Sequence, residues 1–140
     1  YTNSSLANYD EVYVTMVSNA QCATGTAQSN TLTINVTGSI AASVSISASS
    51  SSICAGSNVT FTATPSGGGT SPNYEFFLNG VSVQNGASAT YSSSSLVNND
   101  AVYVIMTSSF ACATGSPATS STINESVTTP ASASMAMLGQ

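Results

Sequence analysis

Residues 91–106, YSSSSLVNNDAVYVIM, restate residues 1–16, YTNSSLANYDEVYVTM. Tyr1, Leu6, Asp10, Val12, Tyr13, Val14 and Met16 return as Tyr91, Leu96, Asp100, Val102, Tyr103, Val104 and Met106. The match continues through CATG at Cys22–Gly25 and again at Cys112–Gly115. Copies that start at residues 1 and 91 set a period of about 90 residues, and each repeat is one structural unit. Inside the shared stretch Val102, Val104 and Met106 alternate with Tyr103 and Ile105. That period of two is the pattern of a half-buried strand.

Working outward, the residues ahead of Tyr91 have no counterpart ahead of Tyr1. The chain therefore reads as the C-terminal half of one repeat at 1–38 and a complete repeat at 39–129. Residues 130–140 read as the first strand of a following repeat or an exchanged strand. In them Met135 and Met137 fall where Val44 and Ile46 fall one period earlier. The whole is expected to be a mature fragment, a processed subunit or a window on something longer. The strands at Glu11–Val17 and Thr31–Thr37 would expose an apolar face and free edges, so outside strands are expected to complete 1–38.

Strand patterns fill the complete repeat. Ser43–Ala48, Asn58–Thr64 and Tyr74–Leu78 each alternate apolar with polar or aromatic residues. Asn79-Gly80 reads as a two-residue hairpin turn, which needs positive φ at both positions. Asn85-Gly86 reads as another. Asn19–Asn30 reads as a polar loop, and Ser49–Ser52 as a turn. Helical periodicity is absent. About seven short strands with frequent turn signals predict an all-β fold: immunoglobulin-like antiparallel β-sandwich repeats, one domain complete and one partial. Phe61, Tyr74, Phe76, Leu78, Leu96, Val102, Val104 and Met106 are the expected core. Met106 stands where an antibody domain places its second core cysteine, with Phe61 or Ala63 opposite, so the usual inter-sheet disulfide is missing.

ICAGSNVTFTATPSGGGTSPNYEFFLNGVSV, followed by LVNNDAVYVIMTSSFACATG, resembles the immunoglobulin-like or PKD-like tandem repeats of giant secreted surface proteins of the Bacteroidota. The resemblance covers nearly the whole chain. It implies a stalk, spacer or adhesin body.

Composition narrows the function. The chain has no Lys, Arg or His, and five acidic residues. Charged residues make up 4%, against about 25% in ordinary domains. Without cations, phosphate backbones and anionic membrane surfaces find no partner groups, so neither nucleic acid nor membrane is expected. Catalysis is not expected either. No His is available for a nucleophile–base pair, and no Lys for a Schiff base. Asp10 and Glu11 are neighbours on a strand and point to opposite faces. Asp100, beside Asn98 and Asn99, fits a turn-closing acid better than a calcium ligand, which would need clustered carboxylates. No cofactor or metal is implied.

The remaining candidates are surface features. Asn3, Asn35, Asn58 and Asn124 head N-x-Ser/Thr sequons, and attached glycan would supply the solvation that charge does not. Phe77, Tyr103 and Ile105 fall on the outward face of their strands, as a contact surface would. Cys22, Cys54 and Cys112 are disulfide candidates. In such a sandwich Cys54 precedes the second strand and Cys112 follows the sixth, which runs the same way. They should lie about 20 Å apart at opposite ends. A disulfide needs Cα atoms within about 7 Å. Bonds between successive domains are therefore expected, with Cys22 and Cys112 each reaching back to a cysteine of the preceding unit. The rival is a Cys54–Cys112 bond within one domain. Together these features predict an extracellular or cell-surface filament or stalk subunit, joined head to tail with copies of itself or adjacent repeats and carrying covalent glycan. The alternative is an adhesin module that binds glycans or proteins through its loops.

Overall fold

The computed structural model describes residues 1–131. The chain divides into two compact units, Tyr1–Gly38 and Ser39–Gln140. The expected first strand of a following repeat or exchanged strand at 130–140, with Met135 and Met137, lies from residue 132 onward outside the described residues.

In the first unit, β1 (Glu11–Val12) pairs with β4 (Leu32–Thr33), and β2 (Thr15–Val17) with β3 (Thr26–Gln28), both antiparallel. The expected single strand over Glu11–Val17 is thus two short ones. Strand β3 falls in the expected polar loop, because its TAQ composition carries no apolar alternation.

The second unit holds β5 (Ile40–Ala41), β6 (Ser43–Ala48), β7 (Ser52–Cys54), β8 (Val59–Ser66), β9 (Asn73–Leu78) and β10 (Val81–Gly86). It continues with β11 (Thr90–Ser93), β12 (Ala101–Thr107), β13 (Ala113–Thr114), β14 (Ala118–Thr119), β15 (Ile123–Asn124) and β16 (Ser126–Thr128). One sheet has the order β11–β8–β6. The other runs β10–β9–β12, with β14 and β15 both on the far edge of β12. All pairings in these two sheets are antiparallel. This is the immunoglobulin-like antiparallel sandwich that the alternating runs predict.

The inward residues of both sheets meet in one core. Val59, Phe61, Phe76, Val102, Val104 and Met106 are fully buried, Tyr74 and Leu96 nearly so, and Leu78 packs partly buried against them. Each large apolar side chain so buried contributes about 1.5–3 kcal/mol relative to exposure. The Tyr91 ring lies 6.1 Å from Phe61 and 5.8 Å from Phe76, centroid to centroid, and bridges the two layers.

The turns differ in how well they match expectation. Asn79 (φ 51°) and Gly80 (φ 79°) make the expected hairpin turn. Asn85-Gly86 does not turn: both residues stay in β10, opposite Glu75 and Tyr74. The Asn73 side-chain amide donates to Asn85 Oδ1 at 2.7 Å, which holds this end of the strand in place. A bulge between Ser82 and Gln84 leaves Val83 unpaired. Gly67 (φ 63°) is required where it stands, since a Cβ there would strike the Ala41 carbonyl oxygen.

Two short parallel ladders close the ends of the domain. Strand β13 pairs with β5, and β16 with β7. Neither ladder shows a period-2 pattern long enough to read from sequence. Both matter for the surface, because they fix the cysteines.

Candidate functional site

An acidic turn leads into β12. Asp100 is buried; its Oδ2 accepts the Val97 N–H at 2.8 Å and its Oδ1 accepts the Asn79 amide at 2.7 Å. Both oxygens are thereby engaged in closing the turn. The first unit repeats the device, with Asp10 Oδ2 accepting the Ala7 N–H at 2.8 Å. Asn98 Oδ1 accepts the Val127 N–H at 3.1 Å, as Asn8 Oδ1 accepts that of Val36 at 2.9 Å.

These matched bonds align the two units residue by residue. Val102 faces Ile123 as Val12 faces Leu32, and Met106 faces Ala118 as Met16 faces Ala27. The Val104 N–H donates to Ser120 Oγ at 3.0 Å, as that of Val14 does to Ser29 Oγ at 2.9 Å. The offset between copies is 90 up to Gly115 and 91 from Ala118 onward, from one extra residue at Ser116-Pro117. With that offset Glu125 takes the place of Ile34. The Glu125 N–H donates to the Asp100 carbonyl at 2.9 Å, as the Ile34 N–H does to that of Asp10 at 2.7 Å.

Glu125 is therefore a carboxyl group in an apolar position. It is 1% exposed, and neither side-chain oxygen has a hydrogen-bond partner. Burial raises its pKa above the ordinary glutamate range. No Lys, Arg or His exists in the chain to pair with it. In the sequence Glu125 only breaks the alternation of residues 119–128. The one-residue offset against TINVT was the signal that would have placed it inside.

The cysteines lie at two poles. Ile40 N–H donates to the Cys112 carbonyl at 3.2 Å, so Cys112 sits where the chain comes into the domain. Cys54 pairs with Thr128 across the parallel ladder, so it sits where the chain leaves. The seven residues of β12 separate these poles by about 20 Å at 3.3 Å per residue, far beyond disulfide reach. Cys22, Cys54 and Cys112 are all free and exposed.

Asn3, Asn35, Asn58 and Asn124 are exposed, so each could accept a glycan. Phe77, Tyr103 and Ile105 are half-buried. The Phe77 and Tyr103 rings stack across the strands at 4.9 Å with a 2° interplanar angle. Beside them the Ser82 hydroxyl donates to Glu75 Oε1 at 2.7 Å.

No family model matches the chain, and no curated protein matches it. Among solved structures it is similar to the fibronectin(III)-like modules of Clostridium thermocellum CbhA, at 17% identity and a TM-score of 0.45. The match covers 74% of this chain and 54% of that one, so the chain spans about half the length of its neighbour.

Proposed function

We propose that this chain is a structural repeat subunit of an extracellular filament or surface stalk, its domains joined head to tail and its surface glycosylated. One observation carries the reading: the chain comes in beside Cys112 and leaves beside Cys54, at opposite ends of the sandwich. Domains built this way extend an array instead of folding back. The resemblance to Bacteroidota surface repeats supports the reading, as does the absence of Lys and Arg, which leaves trypsin-like proteases no cleavage site. Partners are neighbouring repeats and covalent glycan; catalysis, nucleic acid and membrane have no part. Negative-stain microscopy of native material should show regular fibres with a repeat near one or two domain lengths. Separate particles that bind glycans or proteins through their loops would establish an adhesin module instead.

Two expected results follow from this setting. Extracellular conditions favour disulfides. Non-reducing peptide mapping with a non-tryptic protease should recover Cys54 joined to a cysteine of the Cys22 or Cys112 type from the adjoining domain. Recovery of Cys54 linked to Cys112 of the same domain would defeat the interdomain bond. Intact mass spectrometry should give native material heavier than the bare polypeptide. Glycan should map to some of Asn3, Asn35, Asn58 and Asn124 or to loop Ser and Thr, and a mass equal to the bare chain would rule it out.

A further inference from the structure

In the complete domain Val102, Val104 and Met106 are fully buried in the core shared with β6 and β8, and β9 pairs along the edge of β12. The matching positions of Tyr1–Gly38 are open. Val14 is 68% exposed and Met16 62%, where Val104 and Met106 are 0%. Three further observations point to one occupant. The edge of β12 that carries β9 corresponds to the edge of β1 and β2, and a groove of about 450 Å³ lies there along Tyr1 and Glu11–Thr15. Tyr1 is 98% exposed, whereas its counterpart Tyr91 lies against Phe61 and Phe76. Leu32 is 60% exposed, whereas its counterpart Ile123 packs against the core.

We propose that this face of residues 1–38 is a docking site for a front half of the same repeat type, a β-segment with the residue pattern of positions 43–93. Its Tyr-x-Phe-x-Leu strand runs antiparallel along Val12–Thr15, as Tyr74, Phe76 and Leu78 run along β12. Its Val-x-Phe-x-Ala strand covers Val14 and Met16 and brings a phenylalanine ring to Tyr1. Free strand edges with an apolar face are surfaces that take up added strands. A second copy of the described residues cannot supply this segment. The chain carries two back halves and one front half, and lending that half would uncover Val102, Val104 and Met106. The inference rests on the register shared by the two units, and it holds whether or not the chain forms filaments.

The test joins residues 39–90 directly ahead of Tyr1 of the 140-residue chain and follows amide hydrogen exchange. Exchange at residues 12–17 should slow by about 1,000-fold or more, as in a cooperatively folded domain. Val14→Asp in the joined chain should abolish that protection and leave residues 102–107 protected. Should the joined chain fold poorly, the peptide 39–90 added to the 140-residue chain should form a 1:1 complex with the same protection. Unchanged exchange at residues 12–17 in both experiments overturns the proposal. So does self-association of the 140-residue chain that Val14→Asp disperses, which would make a second copy the occupant. Protection of residues 12–17 that disappears on removal of residues 132–140 would overturn it in favour of that segment.

Discussion

Phe76→Ala is expected to remove about 3–5 kcal/mol from the complete domain, the usual loss for a large aromatic truncated in a core. The ring is fully buried at the middle of β9, opposite Val104 on one side and Gln84 on the other. It also packs against Tyr91 of the opposite sheet, so its loss opens a cavity between the layers. Single domains have only about 5–15 kcal/mol in total. Urea unfolding should therefore show a much lower midpoint with little change in slope. Phe77→Ala, one residue on and on the other face, should lose less, because Phe77 is only half-buried. Register gives the comparison its force: a slip of one residue would exchange the two results. A loss below about 1 kcal/mol for Phe76→Ala would place that ring in solvent.

The long strands were legible because burial imposed a pattern on them. Val59-x-Phe61-x-Ala63, Tyr74-x-Phe76-x-Leu78 and Val102-x-Val104-x-Met106 alternate and are buried at each named position except Leu78, which is partly buried. The short strands were not legible. Ile40–Ala41 and Ala113–Thr114 are two residues each, too short for any period to show. Asn85-Gly86 carried a strong turn signal that was overridden by pairing with Tyr74 and Glu75 and by the Asn73 side chain. Local turn preference is weaker than a ladder closed on both sides.

The surface features were legible in part. The opposite placement of Cys54 and Cys112 follows from two strands that run the same way, and the parallel ladders put Cys112 near Ile40 and Cys54 near Thr128, where the chain enters and leaves the second unit. Strand position placed Phe77 and Tyr103 on the outward face but does not reveal that their rings stack on one another. Asp100 needed the whole turn to explain it, including a bond from Asn79 that lies 21 residues away in sequence. The burial of Glu125 was not legible, because a single inserted residue hid its equivalence to Ile34.

Glu125→Ile is accordingly expected to stabilise the complete domain at neutral pH, by about 1–3 kcal/mol, the usual penalty of a buried polar group left without a partner. The position already accepts isoleucine in the first unit, at Ile34. The gain should depend on pH, with a definite sign. Burial raises the carboxyl pKa of the folded state above the ordinary glutamate value of about 4.5. The folded state then holds its proton after the unfolded state has released one, so unfolding becomes easier as pH rises. Stability from this group is fully present below about pH 4.5 and is lost as pH climbs through the raised folded pKa. The other four acidic residues are unchanged in the variant, so the difference between the two curves isolates Glu125. Urea midpoints measured from pH 4 upward should therefore diverge, with the isoleucine variant pulling further ahead at each step. Glu125→Gln keeps the shape and removes the charge. It should lose most of the pH dependence while keeping part of the cost of an unpartnered polar group. A wild-type curve that stays parallel to that of the isoleucine variant would mean that the Glu125 carboxylate reaches solvent or a partner.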